Sequence, residues 1–189
     1  MVFEIPNFLS KKECISIVEL AKKEISPNNL IKSIPFVISN ESNNLIAKIR
    51  EFIKEKTNLP IKNQEEFLIT KYLKDGEYGD HYDSFIIKEK SMFNQDFFDC
   101  CMSHGGQRIY TFVFYLNDDF SGGETEFPKL NIKVKPQTGK VAYWKNTDSE
   151  GNTNELMLHK GSKVLSNEKW VVVIYVREKE FIEAATKIS

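Results

Sequence analysis

Cysteine is scarce in this chain: Cys14, Cys100 and Cys101 are the only three in 189 residues. An odd count at that spacing builds neither a disulfide framework nor a four-ligand zinc site, so we read them as reduced thiols. Histidine is equally scarce. Any imidazole-bearing site must draw on His81, His104 and His159. An excess of one charge is also missing, with 26 basic against 27 acidic residues and a net charge of −1. Nothing global therefore favours nucleic acid as a partner. No apolar run approaches membrane-spanning length, so no membrane association is expected. The opening MVFEIPNFLSKKEC lacks a basic segment ahead of a long apolar core. No signal peptide is expected, and the expected location is cytoplasmic.

What is present fits one compact domain over 1–189, since 41% hydrophobic and 28% charged residues are ordinary for a globular chain. The first 60 residues read as helical support. Ser10 with Glu13 three residues on has the pattern of a capping box, followed by Ile15, Val18 and Ala21 at helical spacing. The helix should end before Pro27. A second helix is predicted from about Asn43 to Lys56, with Leu45, Ile46, Ile49, Phe52 and Ile53 on one stripe. After Pro60 the pattern changes. Phe67–Leu73, Ile109–Leu116, Lys140–Trp144 and Trp170–Val176 are runs of β-branched and aromatic residues. Short strands between turn signals predict a mainly β sandwich or barrel with flanking N-terminal helices. The stretch 84–107 follows neither period. It is long enough to be a lid, and the plainer reading is a surface excursion with a short helix of its own.

His81-Tyr-Asp83 carries the first chemical signal. In a strand, residues i and i+2 share a face, so an imidazole and a carboxylate would converge. One remote histidine completes the two-His-one-carboxylate face of non-haem iron oxygenases. His159, 78 residues later, is placed to arrive from another strand, although a lone histidine there is more often structural. His104, beside Gly105-Gly106, reads as a loop residue outside the site. Lys169 opens the last strand, where its ammonium could anchor a carboxylate. Thr111 sits within an apolar run, where a buried hydroxyl needs a partner. Tyr72 could add a second donor. Taken singly, each of these three is an ordinary strand residue.

Taken together, they lie in motifs that resemble a known family. Tyr72-Leu-Lys-Asp-Gly-Glu-Tyr-Gly-Asp-His-Tyr-Asp83 is similar to the first metal motif of the prolyl 4-hydroxylase family of Fe(II)/2-oxoglutarate-dependent dioxygenases. Arg108–Asn117 resembles its next strand, and Gly122-Gly-Glu-Thr-Glu-Phe-Pro128 its glycine-rich turn. Val134–Gly139 with Ala142–Asn146, and His159 with Val164 and Lys169-Trp170, resemble its closing motifs. The match runs in order over residues 67–176. It implies a double-stranded β-helix (jelly roll) core and iron held by His81, Asp83 and His159, the catalytic and metal residues. It implies 2-oxoglutarate secured by Lys169, Thr111 and Tyr72, O2 as second cosubstrate, and room for ascorbate. It also implies C4 hydroxylation of a prolyl residue in a peptide or protein, with succinate and CO2 as products, by a monomer or homodimer. Two alternatives stay open: the same chemistry on another side chain, free amino acid or small molecule, and a non-catalytic jelly roll that binds peptide or metal. Three positions depart from the pattern. Asn167 stands where glycine is usual, Tyr175 where tryptophan is common, and Ser162-Lys163 where Cys-Pro often follows the last histidine. The first 60 residues contain no collagen-type peptide-binding module.

Overall fold

The computed structural model describes the backbone of residues 1–24, 31–35, 43–86 and 95–182. Among the described residues, twelve strands and three α-helices carry the fold, with short 3-10 turns between some of them. Strand β1 (Val2–Ile5) precedes helix α1 (Lys11–Glu24); β2 (Ile31–Pro35) precedes α2 (Asn43–Thr57). Then follow β3 (Leu68–Tyr72), β4 (Tyr78–His81), α3 (Gln95–Ser103), β5 (Arg108–Tyr115), β6 (Ser121–Gly122) and β7 (Thr125–Phe127). The chain continues with β8 (Ile132–Val134), β9 (Val141–Lys145), β10 (His159–Gly161), β11 (Val164–Ser166) and β12 (Lys169–Arg177).

The strands form a six-stranded sheet, β1-β9-β5-β12-β3-β2, and a four-stranded sheet, β4-β10-β7-β8, all antiparallel, with β11 and β6 paired beside them. This is the jelly roll that the motifs implied. Strand alternation divides the large sheet into two chemically different faces. On β5 and β12, Phe112, Phe114, Trp170, Val172 and Ile174 turn outward, into a core shared with the helices. Val113, Tyr115 and Val171 turn inward to meet Phe127, Val134 and Met157 from the small-sheet side. The inner face also carries the polar residues of interest.

The capping box on α1 is formed: Glu13 N donates to Ser10 Oγ (3.2 Å), and Ser10 N donates to Glu13 Oε2 (2.6 Å). The buried stripe of α1 is Cys14, Ile17 and Ala21, with Val18 beside it, whereas Ile15 is exposed. Sequence spacing had placed Ile15 inside. One step along a helix turns the side chain by about 100°, and Cys14 takes the inward position. On α2 the expected stripe holds, with Ile46, Ile49 and Ile53 buried and Leu45 and Phe52 packed against them.

Candidate metal centre

His81 closes β4 and His159 opens β10, opposite each other across an antiparallel pair. That register brings their rings to 4.2 Å between centroids. Asp83 lies beyond the end of β4 in a bend, not in the strand that HxD spacing suggested. The bend still turns it inward. Its Oδ1 lies 3.6 Å from His81 Nε2, and its Oδ2 3.4 Å from His159 Nε2. One donor atom from each of the three falls within 4.8 Å of the others.

Both histidines are oriented alike. His81 Nδ1 faces Gly79 O at 2.8 Å, and His159 Nδ1 faces Met157 O at 2.9 Å. A carbonyl only accepts, so each Nδ1 carries the proton and each Nε2 offers its lone pair inward. Thr111 Oγ1 donates to Asp83 Oδ2 at 2.7 Å, and Asn146 Nδ2 donates to Thr111 Oγ1 at 2.9 Å. Burial by itself would raise the Asp83 pKa, but His159, His81 and the Thr111 hydroxyl outweigh it and hold the carboxyl at about 2. Burial pushes the His159 pKa down, against the pull of Asp83, and favours the neutral imidazole. Two imidazoles with Nε2 turned inward and one ionised carboxylate suit non-haem iron(II).

The triad forms one wall of a cavity of about 260 Å³ between the sheets. Lys169 enters from β12, 4% exposed, and its Nζ donates to Gly123 O at 2.8 Å. No carboxylate forms an ion pair with it among the described residues. Burial lowers its pKa to about 8, with Glu124 pulling the other way. Tyr72 is its register partner on β3, with the ring centroid 5.0 Å from Nζ. Thr125 on β7 lines the same cavity and shares a 2.7 Å hydrogen bond with the Tyr115 hydroxyl. Gly123 has φ +70°, and a Cβ there would lie 3.1 Å from Lys169 Cδ and 2.9 Å from the Phe120 ring, so glycine clears the path of the lysine. Asn167 has φ +58°, which explains the departure from glycine: asparagine is among the residues that best tolerate this region.

The structure thus gathers His81, Asp83 and His159 at one place, with Lys169 and Tyr72 together in the same cavity. Thr111 lines it too, but its hydroxyl is engaged with Asp83. His104 sits apart at the end of α3, its Nδ1 against Cys100 O. Sequence reasoning missed Thr125, Asn146 and Trp144. Each lay inside a quoted motif, but pairing Thr125 with Tyr115 or Asn146 with Thr111 requires the register between strands. Of the 84–107 stretch, residues 87–94, with Phe93, and the side chain of Phe97 lie outside the described residues. The expected short helix is α3. At its base, Gln107 grips Phe85 twice, Phe85 N donating to Oε1 (2.6 Å) and Nε2 donating to Phe85 O (2.8 Å). Tyr175, another of the departures, lines the cavity beneath the Arg108 guanidinium, 3.7 Å from its ring centroid. Arg108 is held in place by a two-point pair with Glu65, at 2.7 and 2.8 Å.

Comparison with known proteins follows the same lines. The family model described as the 2OG-Fe(II) oxygenase superfamily matches residues 67–177. A putative prolyl 4-hydroxylase of Acanthamoeba polyphaga mimivirus is 30% identical over 187 residues, 95% of this chain and 75% of the relative. Prolyl 4-hydroxylase 13 of Arabidopsis thaliana is 26% identical, covering 95% and 72%. Among solved structures, the viral collagen prolyl hydroxylase of Paramecium Bursaria Chlorella virus-1, in complex with 2OG, superposes with a TM-score of 0.74. It is 25% identical, over 93% of this chain and 94% of that one.

Proposed function

We propose, from the premise that the chain belongs to the 2OG-Fe(II) oxygenase superfamily, that it hydroxylates C4 of a prolyl residue in a peptide or protein. It is a 2-oxoglutarate-dependent dioxygenase. Per turnover, one oxygen atom of O2 enters succinate as CO2 leaves, and the other enters the substrate C–H bond. The observation that carries this reading is the convergence of His81, Asp83 and His159 on the cavity that buries Lys169. The relatives named prolyl 4-hydroxylase support the choice of substrate.

His81 Nε2, Asp83 Oδ1 and His159 Nε2 would hold iron(II). Bound there, the metal supplies the redox chemistry that couples decarboxylation of 2-oxoglutarate to oxygen insertion. The residues around it perform simpler tasks. Gly79 O and Met157 O fix the imidazole tautomers, and Thr111 takes one Asp83 oxygen so that the other points inward. Lys169 is a buried cation without a carboxylate partner among the described residues, which suits the far carboxylate of 2-oxoglutarate. Tyr72 and Thr125 stand beside it as hydroxyl donors. Burial of Asp83, His159 and Lys169 between the sheets limits water at the reacting centre. Ascorbate fits as a reductant that returns the iron to its ferrous state. We treat 1–189 as one catalytic unit, with 1–60 as helical support and 67–176 as the core. No described helix is long and apolar enough to cross a membrane; three free thiols suit a reducing cytoplasm. The unit acts as monomer or homodimer.

The test is an assay with iron(II), 2-oxoglutarate, O2 and a panel of proline-containing peptides. We expect succinate and a peptide gaining one oxygen in equal amounts, with the hydroxyl at proline C4. Equimolar succinate with the oxygen on another side chain or a small molecule would move the substrate. Absence of succinate with every substrate would mean a binding protein.

A further inference from the structure

Two tryptophans lie in the core, and both pyrrole N–H groups are buried without an acceptor among the described residues. Their surroundings differ. Trp170 belongs to the outer core under the helices, with Lys22 and Lys71 near its ring. Trp144, 1% exposed, lines the cavity that holds the metal triad. Its ring meets His159 edge-on at 4.9 Å between centroids and 67°, and Phe127 at 5.0 Å and 81°. These two rings fix its position but accept no ordinary hydrogen bond. Phenylalanine would fill most of this space without burying an unmet donor, and an unmet donor is costly. The free volume that borders Trp144 is the cavity. The cavity is therefore where an acceptor for Trp144 has room to enter, and the contact with His159 places the ring at the metal end, away from Lys169.

We propose that Trp144 Nε1–H is a binding donor for 2-oxoglutarate, reaching the carboxylate at its keto-acid end. The inference rests on the proposed function. It assigns that end a protein donor additional to the metal, while Lys169 with Tyr72 and Thr125 serves the other. A hydrogen bond from a neutral donor to a carboxylate is charge-assisted, so its loss should weaken cosubstrate binding about ten- to a hundredfold.

The test uses the full chain with zinc(II) as a redox-silent occupant of the triad and 15N-labelled tryptophan. Two indole N–H signals are expected, assigned with Trp170→Phe. Calorimetry first establishes that 2-oxoglutarate binds the zinc-loaded wild type. If it does not, the functional reading and this inference both fall. If it binds, we expect the Trp144 indole proton to move downfield and exchange more slowly on adding 2-oxoglutarate, with the Trp170 signal unmoved. Trp144→Phe should keep its zinc affinity and its fold, read by far-ultraviolet circular dichroism, and lose 2-oxoglutarate affinity by the factor above. Should that variant fail to fold, the indole shift in the wild-type chain decides alone. An indole signal that ignores 2-oxoglutarate, or completes its shift with zinc alone, overturns the proposal and points to a trapped water as the acceptor. So does a folded Trp144→Phe protein that binds 2-oxoglutarate as tightly as the wild type.

Discussion

At the scale of single residues, Lys169 sets a cost in stability against the anchoring role proposed for it. Its pKa falls to about 8 in the folded chain, against about 10.4 for an unperturbed lysine. The unfolded chain therefore binds more protons between these values, so this residue makes the free protein more stable as pH rises through that window. Below pH 8 the full penalty applies, on the order of 3 kcal/mol. We expect Lys169→Met to raise the stability of the free protein at pH 7, by up to about that amount, while weakening 2-oxoglutarate binding at least tenfold. Denaturant melts paired with calorimetry test both halves; a variant less stable than wild type would refute the first. In the wild type, 2-oxoglutarate affinity should fall about tenfold per unit above pH 8, as the ammonium loses its proton. Affinity constant up to pH 9.5 would place the anchoring charge elsewhere. Thr111 makes a different kind of contribution, through Asp83. Thr111→Val keeps the shape and removes the 2.7 Å bond. We expect a 10–100-fold loss of iron(II) affinity in anaerobic titration, and equal iron affinity would mean that Asp83 is held by its bend alone.

At the scale of elements, alternation explains why part of the site was legible. Lys169, Val171, Val173 and Tyr175 share one face of β12, and Thr111 and Val113 lie on the same side of the neighbouring β5. Counting by twos from the buried apolar positions puts Lys169 and Thr111 inside before any coordinates are known. The same counting could not say that Asp83 leaves the strand, because a bend is set by backbone bonding outside the HxD motif. Nor could it say which inner threonine bonds Asp83 and which bonds Tyr115. Thr125 and Thr111 look alike in sequence, and only the pairing of β7 with β10 and of β5 with β9 separates them. At the base of α3, the Gln107 side chain clamps Phe85 much as a neighbouring strand would. Gln107→Leu removes both bonds. Each is worth about 1 kcal/mol, so amide exchange at Phe85 should quicken by roughly tenfold or more. We also expect the peptide KM to rise, with 2-oxoglutarate affinity unchanged. Unchanged exchange at residue 85 would show that this segment is held by other bonds.

At the scale of the whole molecule, the two sheets divide the labour. The metal triad belongs to the small sheet and its adjoining bend, whereas Lys169 and Tyr72 belong to the large one. On the proposed assignment, a dicarboxylate chelated at one end and paired with Lys169 at the other would link the sheets across the core. Metal alone would tie β4 to β10, and would reach the large sheet only through the Thr111–Asp83 bond and the Trp144–His159 contact. The effects on stability should therefore follow an order. A redox-silent divalent metal at a hundredfold excess over its Kd adds about 2.7 kcal/mol, or roughly 5–11 °C in Tm for a chain of this size. 2-Oxoglutarate without metal should add far less, having only the Lys169 end to hold it. With metal present it should raise Tm again. Hydrogen exchange should then slow in β12 and β3 as well as in β4 and β10, since opening either sheet would break the link. Calorimetric melts with metal, with cosubstrate and with both, read beside exchange maps of the same samples, test this. If 2-oxoglutarate stabilises the chain equally with and without metal, it does not bridge the triad and Lys169. Slowed exchange confined to the small sheet would lead to the same conclusion.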